Sequence, residues 1–203
     1  IMRDSKGVLW IGTERGLSVF DEKNGKFHTY TIEDGLENFY IKSLLEDKDG
    51  LLWVGTGLGL NTFDGKTFNR VAEISTHRRQ VVSLAQDNSG AIWCTVREKG
   101  LFRREKKEFR QVSVPGQTFL ASSVLLGRDG AVWASGDNGI SRWDGNAWKT
   151  FTVADGLAAN QPYYITKDRA GHIWFGYHGS HGVTVYDGTR FRTYTSDDGL
   201  ANN

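Results

Sequence analysis

Apolar positions along the chain fall in short bursts rather than long stripes. Stretches such as VLWIGT, GLSVF, LLWVGT and AIWCTV run for four to seven residues with period-two character, which is the signature of strands. The long 3.6-residue periodicity that helices require is missing. The bursts also return at a fixed interval, with Trp10, Trp53, Trp93, Trp133 and Trp174 separated by 43, 40, 40 and 41 residues. The chain therefore reads as five copies of one unit, at approximately 1–35, 36–76, 77–116, 117–156 and 157–203.

Each unit repeats the same punctuation. A turn precedes each tryptophan (DSKG, DKDG, DNSG, GRDG, DRAG), and a glycine followed by an apolar residue comes after it, from Gly16-Leu17 to Gly182-Val183. An acid then follows (Asp21, Asp64, Glu105, Asp144, Asp187), then a second turn and an aromatic (Phe27, Phe68, Phe109, Trp148, Phe191). In unit two this predicts strands over Tyr40–Glu46, Leu51–Thr56, Leu60–Asp64 and Thr67–Ala72. Four short antiparallel strands in about 40 residues make one propeller blade. The predicted fold class is therefore all-β, a β-propeller of five four-stranded antiparallel blades with the tryptophans packed between them. In blade one the first strand is cut down to Ile1, Met2 and Arg3.

Composition narrows the picture. Twenty-five glycines against 2 prolines suit a fold made mostly of turns and short strands. With 25 basic and 24 acidic side chains there is no global field to draw in nucleic acid, so charge recognition has to be local. No apolar run approaches the length of a membrane span, and no membrane contact is expected within this chain. The first residues lack a secretory signal, and the chain opens on Ile1 rather than Met. This reads as a trimmed domain whose targeting sequence, if it had one, lay upstream. Cys94, the single cysteine, follows a core tryptophan and reads as a small buried hydrophobe.

The pattern D-x-x-G-x-[LIV]-W-[IV]-G-T-x-x-G-L, followed by FDG and DGL-x-x-N, resembles the two-component regulator propeller repeat of bacterial sensor regions. The resemblance runs along essentially the whole chain and is best in units one, two and five. Unit three departs with WCTVREKGL and Arg104-Glu105, and unit four with WASGDNGI after a turn that begins at Gly127. The family implies a periplasmic or extracellular sensor for signal transduction, with a saccharide as the ligand class. Its members usually carry more blades, but joining tail to head here leaves only four positions missing from five whole units, which favours a closed five-bladed ring. If the ring is open, a homo-oligomer is the alternative.

Catalytic residues are generally needed once, whereas residues that build every blade recur in every blade. By that test the Asp-x-x-Gly turns are structural, with Asp capping backbone amides and Gly taking positive φ. The calcium reading of Asp47-Lys48-Asp49-Gly50 is weak, because the fuller ligand spacing is missing. What differs between units is the segment from tryptophan to the later glycine. It spans six positions in units one, two and four, seven in unit three, and eight in unit five, where His178 and His181 are inserted. Strand alternation puts this loop and the inter-blade connector on one face. That face collects Arg15, Arg97, Lys99, Asp137, Asn138, Tyr177, His178 and His181 from the loops, and Asn38, Tyr40, His77, Arg78, Arg79, Asn160 and Tyr163 from the connectors.

These fifteen are the candidate ligand-binding residues, because rigid sheets that present variable loops make binding surfaces. Cations outnumber acids among them, so a locally positive mouth and an anionic oligosaccharide are expected if the side chains converge. No cofactor is expected: nucleophile-elbow, zinc-helix and phosphate-loop motifs are missing, and two histidines give too few ligands for a closed metal site. Two further readings stand beside the sensor. One is a propeller enzyme, either glycan-active or similar to the streptogramin lyases with His178 or His181 as base; Glu46, the lone acid on the inner strands, is poor material for a two-carboxylate mechanism. The other is a structural or protein-interaction propeller.

Overall fold

The computed structural model describes residues 1–75, 79–117 and 122–201. Blade one comprises β1 (Met2–Arg3), β2 (Leu9–Thr13), β3 (Gly16–Asp21) and β4 (Lys26–Tyr30). Blade two follows with β5 (Ile41–Glu46), β6 (Leu52–Thr56), β7 (Leu60–Phe63) and β8 (Phe68–Arg70), then a helical turn, α1 (Ala72–Ser75). Blade three holds β9 (Val81–Gln86), β10 (Ile92–Val96), β11 (Gly100–Glu105) and β12 (Glu108–Gln111). Blade four holds β13 (Val124–Leu126), β14 (Val132–Gly136), β15 (Gly139–Trp143) and β16 (Trp148–Phe151). Blade five holds β17 (Pro162–Lys167), β18 (Ile173–Tyr177), β19 (Val183–Tyr186) and β20 (Phe191–Tyr194). Each blade is a four-stranded antiparallel meander whose strands neighbour one another in chain order, as in a β-propeller.

One predicted strand is too long. The fourth strand of blade two stops at Arg70, because Val71 pairs with Leu60 and its carbonyl then takes the amides of Ile74 and Ser75. The resulting turn drives Ile74 into the core, where it is fully buried. The DGL connectors also have structure that strand periodicity does not predict. Thr31, Thr152 and Thr195 each cap a short 3-10 turn, with Asp34, Asp155 and Asp198 closing the capping box. Gly35 and Gly156 end their turns at φ of +101° and +110°, and the leucines that follow, Leu36 and Leu157, are buried against the next blade.

The tryptophans weld each blade to the next. Trp10 meets Phe63 at 5.8 Å, Trp53 meets Phe109 at 6.1 Å, Trp93 meets Trp148 at 6.1 Å, and Trp133 meets Tyr186 at 5.3 Å. The indole nitrogens are tied to their own turns. Asp47 accepts Trp53 Nε1 at 2.7 Å, Asp87 accepts Trp93 Nε1 at 2.8 Å, and Asp4 and Asp168 do the same for Trp10 and Trp174. Serines of blades two, three and four hook the neighbouring inner strand: Ser43 Oγ donates to the Val81 carbonyl at 3.0 Å, and Ser83 Oγ donates to that of Val124 at 3.1 Å. Ser123 Oγ accepts the Ile165 amide at 3.3 Å. Glu46, the inner-strand acid, takes the amide and hydroxyl of Ser5 in blade one at 2.6 and 2.7 Å.

These links run from blade one to two, two to three, three to four and four to five. Among the described residues, closure into a five-bladed ring has no such contact to rest on: the ring that Trp174 stacks on is Tyr194 of its own blade, at 6.0 Å. Trp174 is accordingly half-buried, whereas Trp53, Trp93 and Trp133 keep 1%, 2% and 1% of their surface. Cys94 is fully buried in β10, and burial pushes its thiol pKa up, so it is packing material.

Candidate functional site

The inner strands carry a repeated irregularity that serves the loop face. The register of β5, β9 and β17 against their neighbours slips at one residue, which is Lys42, Val82 and Tyr163 respectively. A bulge of this kind re-aims a side chain out of the sheet. Val82 and Tyr163 line a cavity of about 490 Å³, together with Ser122, which precedes β13. The loops after β10, β14 and β18 supply Arg97, Asp137, His178 and His181 to the same cavity, and the connector into blade five supplies Ala159, Asn160, Gln161 and Pro162. The pocket is thus built by blades three, four and five.

Within it Tyr163 and His178 are paired ring against ring at 4.0 Å, tilted by 56°. The pair follows from the strand register: Pro162 pairs with Tyr177, and the slipped residue Tyr163 stands beside His178, which directly follows β18. Arg97 is exposed, and its guanidinium donates to the neutral Gln80 Oε1 at 3.3 Å. The extra residue of its loop, Glu98, sits in the left-handed region at φ +62°. Asn160 clamps the connector: its Oδ1 accepts the Val153 amide at 2.9 Å and its carbonyl accepts the Gly139 amide. Apolar Val82, Ala159 and Pro162 thus stand beside a guanidinium, a carboxylate, amides and imidazoles.

Of the fifteen sequence candidates, six converge here: Arg97, Asp137, Asn160, Tyr163, His178 and His181. Tyr177 lies just below. It packs into the core of blades four and five and donates its hydroxyl to Thr184 at 2.9 Å, and burial raises its pKa. Asn138 is spent on the chain, with its amide on Gln117 and its side chain on the Gly116 carbonyl. Lys99 is exposed outside the cavity, and Arg79 pairs with Glu98 at 3.5 Å. Arg15 lines a separate shallow depression with Thr31, Ile32, Glu33 and Phe39. Asn38 caps the Tyr40 amide at 3.0 Å, and the Tyr40 ring carries the Lys42 ammonium at 3.6 Å. His77 and Arg78 lie outside the described residues.

The sequence reading missed Val82, Ser122, Gly136, Ala159, Gln161 and Pro162, which also line the pocket. A signal was available: Val82, Ser122 and Tyr163 hold the same place on three inner strands, each four residues before the strand's end. Away from this face, His172 sits on the turn side, with its Nδ1 against Asp168 Oδ2 at 2.9 Å. Among the described residues, no three histidines, cysteines or acids gather to hold a metal ion, and no helix is long and apolar enough to cross a membrane.

Known proteins bear on this architecture. The extracellular domain of a hybrid two-component system of B. thetaiotaomicron superposes with a TM-score of 0.81 at 20% identity, over 100% of this chain and 29% of its own. That of a one-component system from the same organism gives 0.73 at 23% identity, over 88% and 25%. Virginiamycin B lyase of Staphylococcus aureus gives 0.76 at 17% identity, over 96% and 68%. This chain therefore spans only about a quarter of the two extracellular domains, and at such identities the likeness speaks to the fold. No curated protein matches the chain by sequence. The profile of the two component regulator propeller matches residues 34–57, from the first DGL connector through Trp53 to Gly57. That stretch holds the connector and the first two strands of a unit that the chain repeats, and the resemblance read from its tryptophan and glycine spacing is accordingly to the two-component regulator propeller family.

Proposed function

We propose that the chain is a ligand-sensing propeller acting in the periplasm or outside the cell, and that it binds a saccharide in the cavity of blades three to five. The observation that carries this reading is the convergence of residues unique to single blades, Arg97, Asp137, Tyr163, His178 and His181, on one cavity of about 490 Å³. Repeated residues build the blades, and these five non-repeated ones meet at one place. Tyr163 offers an aromatic face for the apolar side of a sugar ring, and the amides and carboxylate suit its hydroxyls. The extracellular domains of one-component and hybrid two-component systems that share the fold support the sensor part of this reading.

A thermal-shift screen against a saccharide library tests the proposal. A ligand at a hundred times its Kd adds about 2.7 kcal/mol to stability. Tyr163→Ala should abolish the shift while leaving the unliganded melting temperature nearly unchanged. A second reading, a lyase, draws on the two imidazoles in the cavity and on the lyase of related fold. Under the sensor reading, prolonged incubation with the streptogramin quinupristin leaves it unconverted on chromatography. Conversion that His178→Ala or His181→Ala abolishes would favour the lyase.

A further inference from the structure

The loop face carries several cations, but the structure does not pool them. Arg79 is matched by Glu98 at 3.5 Å, Arg15 belongs to another depression, and Lys99 lies outside the cavity. Among the described residues one guanidinium remains in the cavity wall, that of Arg97, and it donates to a neutral amide oxygen, Gln80 Oε1. Asp137 stands in the same wall as the formal negative charge. His178 and His181 complete the titratable groups, with the Tyr163 phenol beside them.

This is a wall suited to one anionic group. A guanidinium presents two parallel N–H donors to the two oxygens of a carboxylate, a match that a lysine ammonium cannot reproduce. The Asp137 carboxylate repels a second anionic group and accepts hydroxyl protons instead. A polysulfated chain brings several anionic groups to a wall that offers one guanidinium beside a carboxylate, and is therefore a poorer fit than a sugar with one carboxylate per unit. Resting on the reading of this cavity as a saccharide site, we infer that it selects a uronic acid unit, with the sugar carboxylate paired to Arg97, the ring against Tyr163 and the hydroxyls toward Asp137 and Asn160.

The test is calorimetric titration of the 203-residue chain with uronic disaccharides (galacturonic, glucuronic and mannuronic), each beside its carboxyl-reduced neutral counterpart, and with one sulfated disaccharide. For at least one pair the acidic member should bind on the order of tenfold more tightly, the ratio expected of a charge-assisted hydrogen-bond pair. Arg97→Gln should bring that ratio to about one, Arg97→Lys should give an intermediate value, and Lys99→Gln, outside the cavity, should leave it unchanged. A ratio of one in the parent chain, a ratio indifferent to Arg97→Gln, or tighter binding of the sulfated sugar overturns the inference. If Tyr163→Ala still weakens the neutral sugars, the saccharide site survives that failure. If no member of any pair binds, both the inference and the site beneath it fall.

Discussion

Gly127 stands six residues before Trp133, at the place where the other four blades put an aspartate under their tryptophan, and the Trp133 indole nitrogen is buried with no hydrogen-bond partner among the described residues. In blades one, two, three and five that aspartate accepts the indole N–H at 2.7 to 3.0 Å. Blade four substitutes Asp129, whose carboxylate takes the Ala131 amide at 3.1 Å and Arg142 at 2.7 Å but leaves the indole unserved. A Cβ built on Gly127 would come 2.6 Å from Asp129 Oδ1 and 3.0 Å from Trp133 Nε1. Gly127→Asp combined with Asp129→Ser, which removes the crowding carboxylate and reproduces the Asp87-x-Ser89 turn of blade three, should therefore raise stability by about 1 kcal/mol, the net worth of one buried hydrogen bond. Urea titration of the double variant against its parent checks this.

The reverse change should be costly. Asp87→Ala removes the partner of Trp93 Nε1, of the Ser89 and Ala91 amides, and of Arg103 in one step. Leaving a buried donor unserved costs about 1–3 kcal/mol, so the urea midpoint should fall well below that of the parent. An unchanged midpoint would show that the turn aspartate is not what seats the tryptophan.

Acid should act through the same turns. At Asp168 the Trp174 hydrogen bond outweighs partial burial and, with His172, lowers the carboxyl to about 2. At Asp4, Asp87 and Asp129 burial is the largest single influence and pushes upward, but the hydrogen bonds and cations around each carboxylate together outweigh it, led by the Trp10 indole, by Ser89 and Trp93, and by Arg142 respectively, so all three end below the ordinary range. A folded pKa below the unfolded value of about 3.9 means that protons bind the unfolded chain more tightly. The stability is present in full above about pH 4 and is lost as pH falls through the folded values toward about 2. Denaturant midpoints at pH 5, 4, 3 and 2.5 should decline across that window, and Asp168→Asn should flatten part of the decline.

The blades should not depend equally on their tryptophans. Trp93 is wedged between blades three and four with 2% of its surface exposed, whereas among the described residues Trp174 has only Tyr194 of its own blade as a ring partner. Trp93→Ala should cost the roughly 3–5 kcal/mol typical of a large core truncation, and Trp174→Ala distinctly less. Thermal melts of the two variants decide it. Equal losses would imply that blade five is packed on both faces.

The blades were legible because each must satisfy the same constraints locally. The tryptophan interval and the Asp-x-x-Gly turns set strand positions to within about a residue or two, as Ile41–Glu46 against Tyr40–Glu46 illustrates. The capped connector turns were also written in the chain, as Thr31-x-x-Asp34 and its two copies, but that signal is not periodic in hydrophobicity. The site was only half legible. Which loops share a cavity depends on how far the arc of blades has curved, and no local pattern encodes that. Arg15 and Arg97 occupy corresponding loops, yet only Arg97 reaches the pocket.

The central claim is that the cavity of blades three to five is the ligand site, and backbone-amide NMR during titration with a binding saccharide addresses it most directly. Shifts should concentrate at Arg97, Asp137, Asn160, Tyr163, His178 and His181, with the turn-face residues Lys48, Ser89 and His172 unmoved. Shifts centred on the turn face, or on the Arg15 depression of blade one, would contradict it.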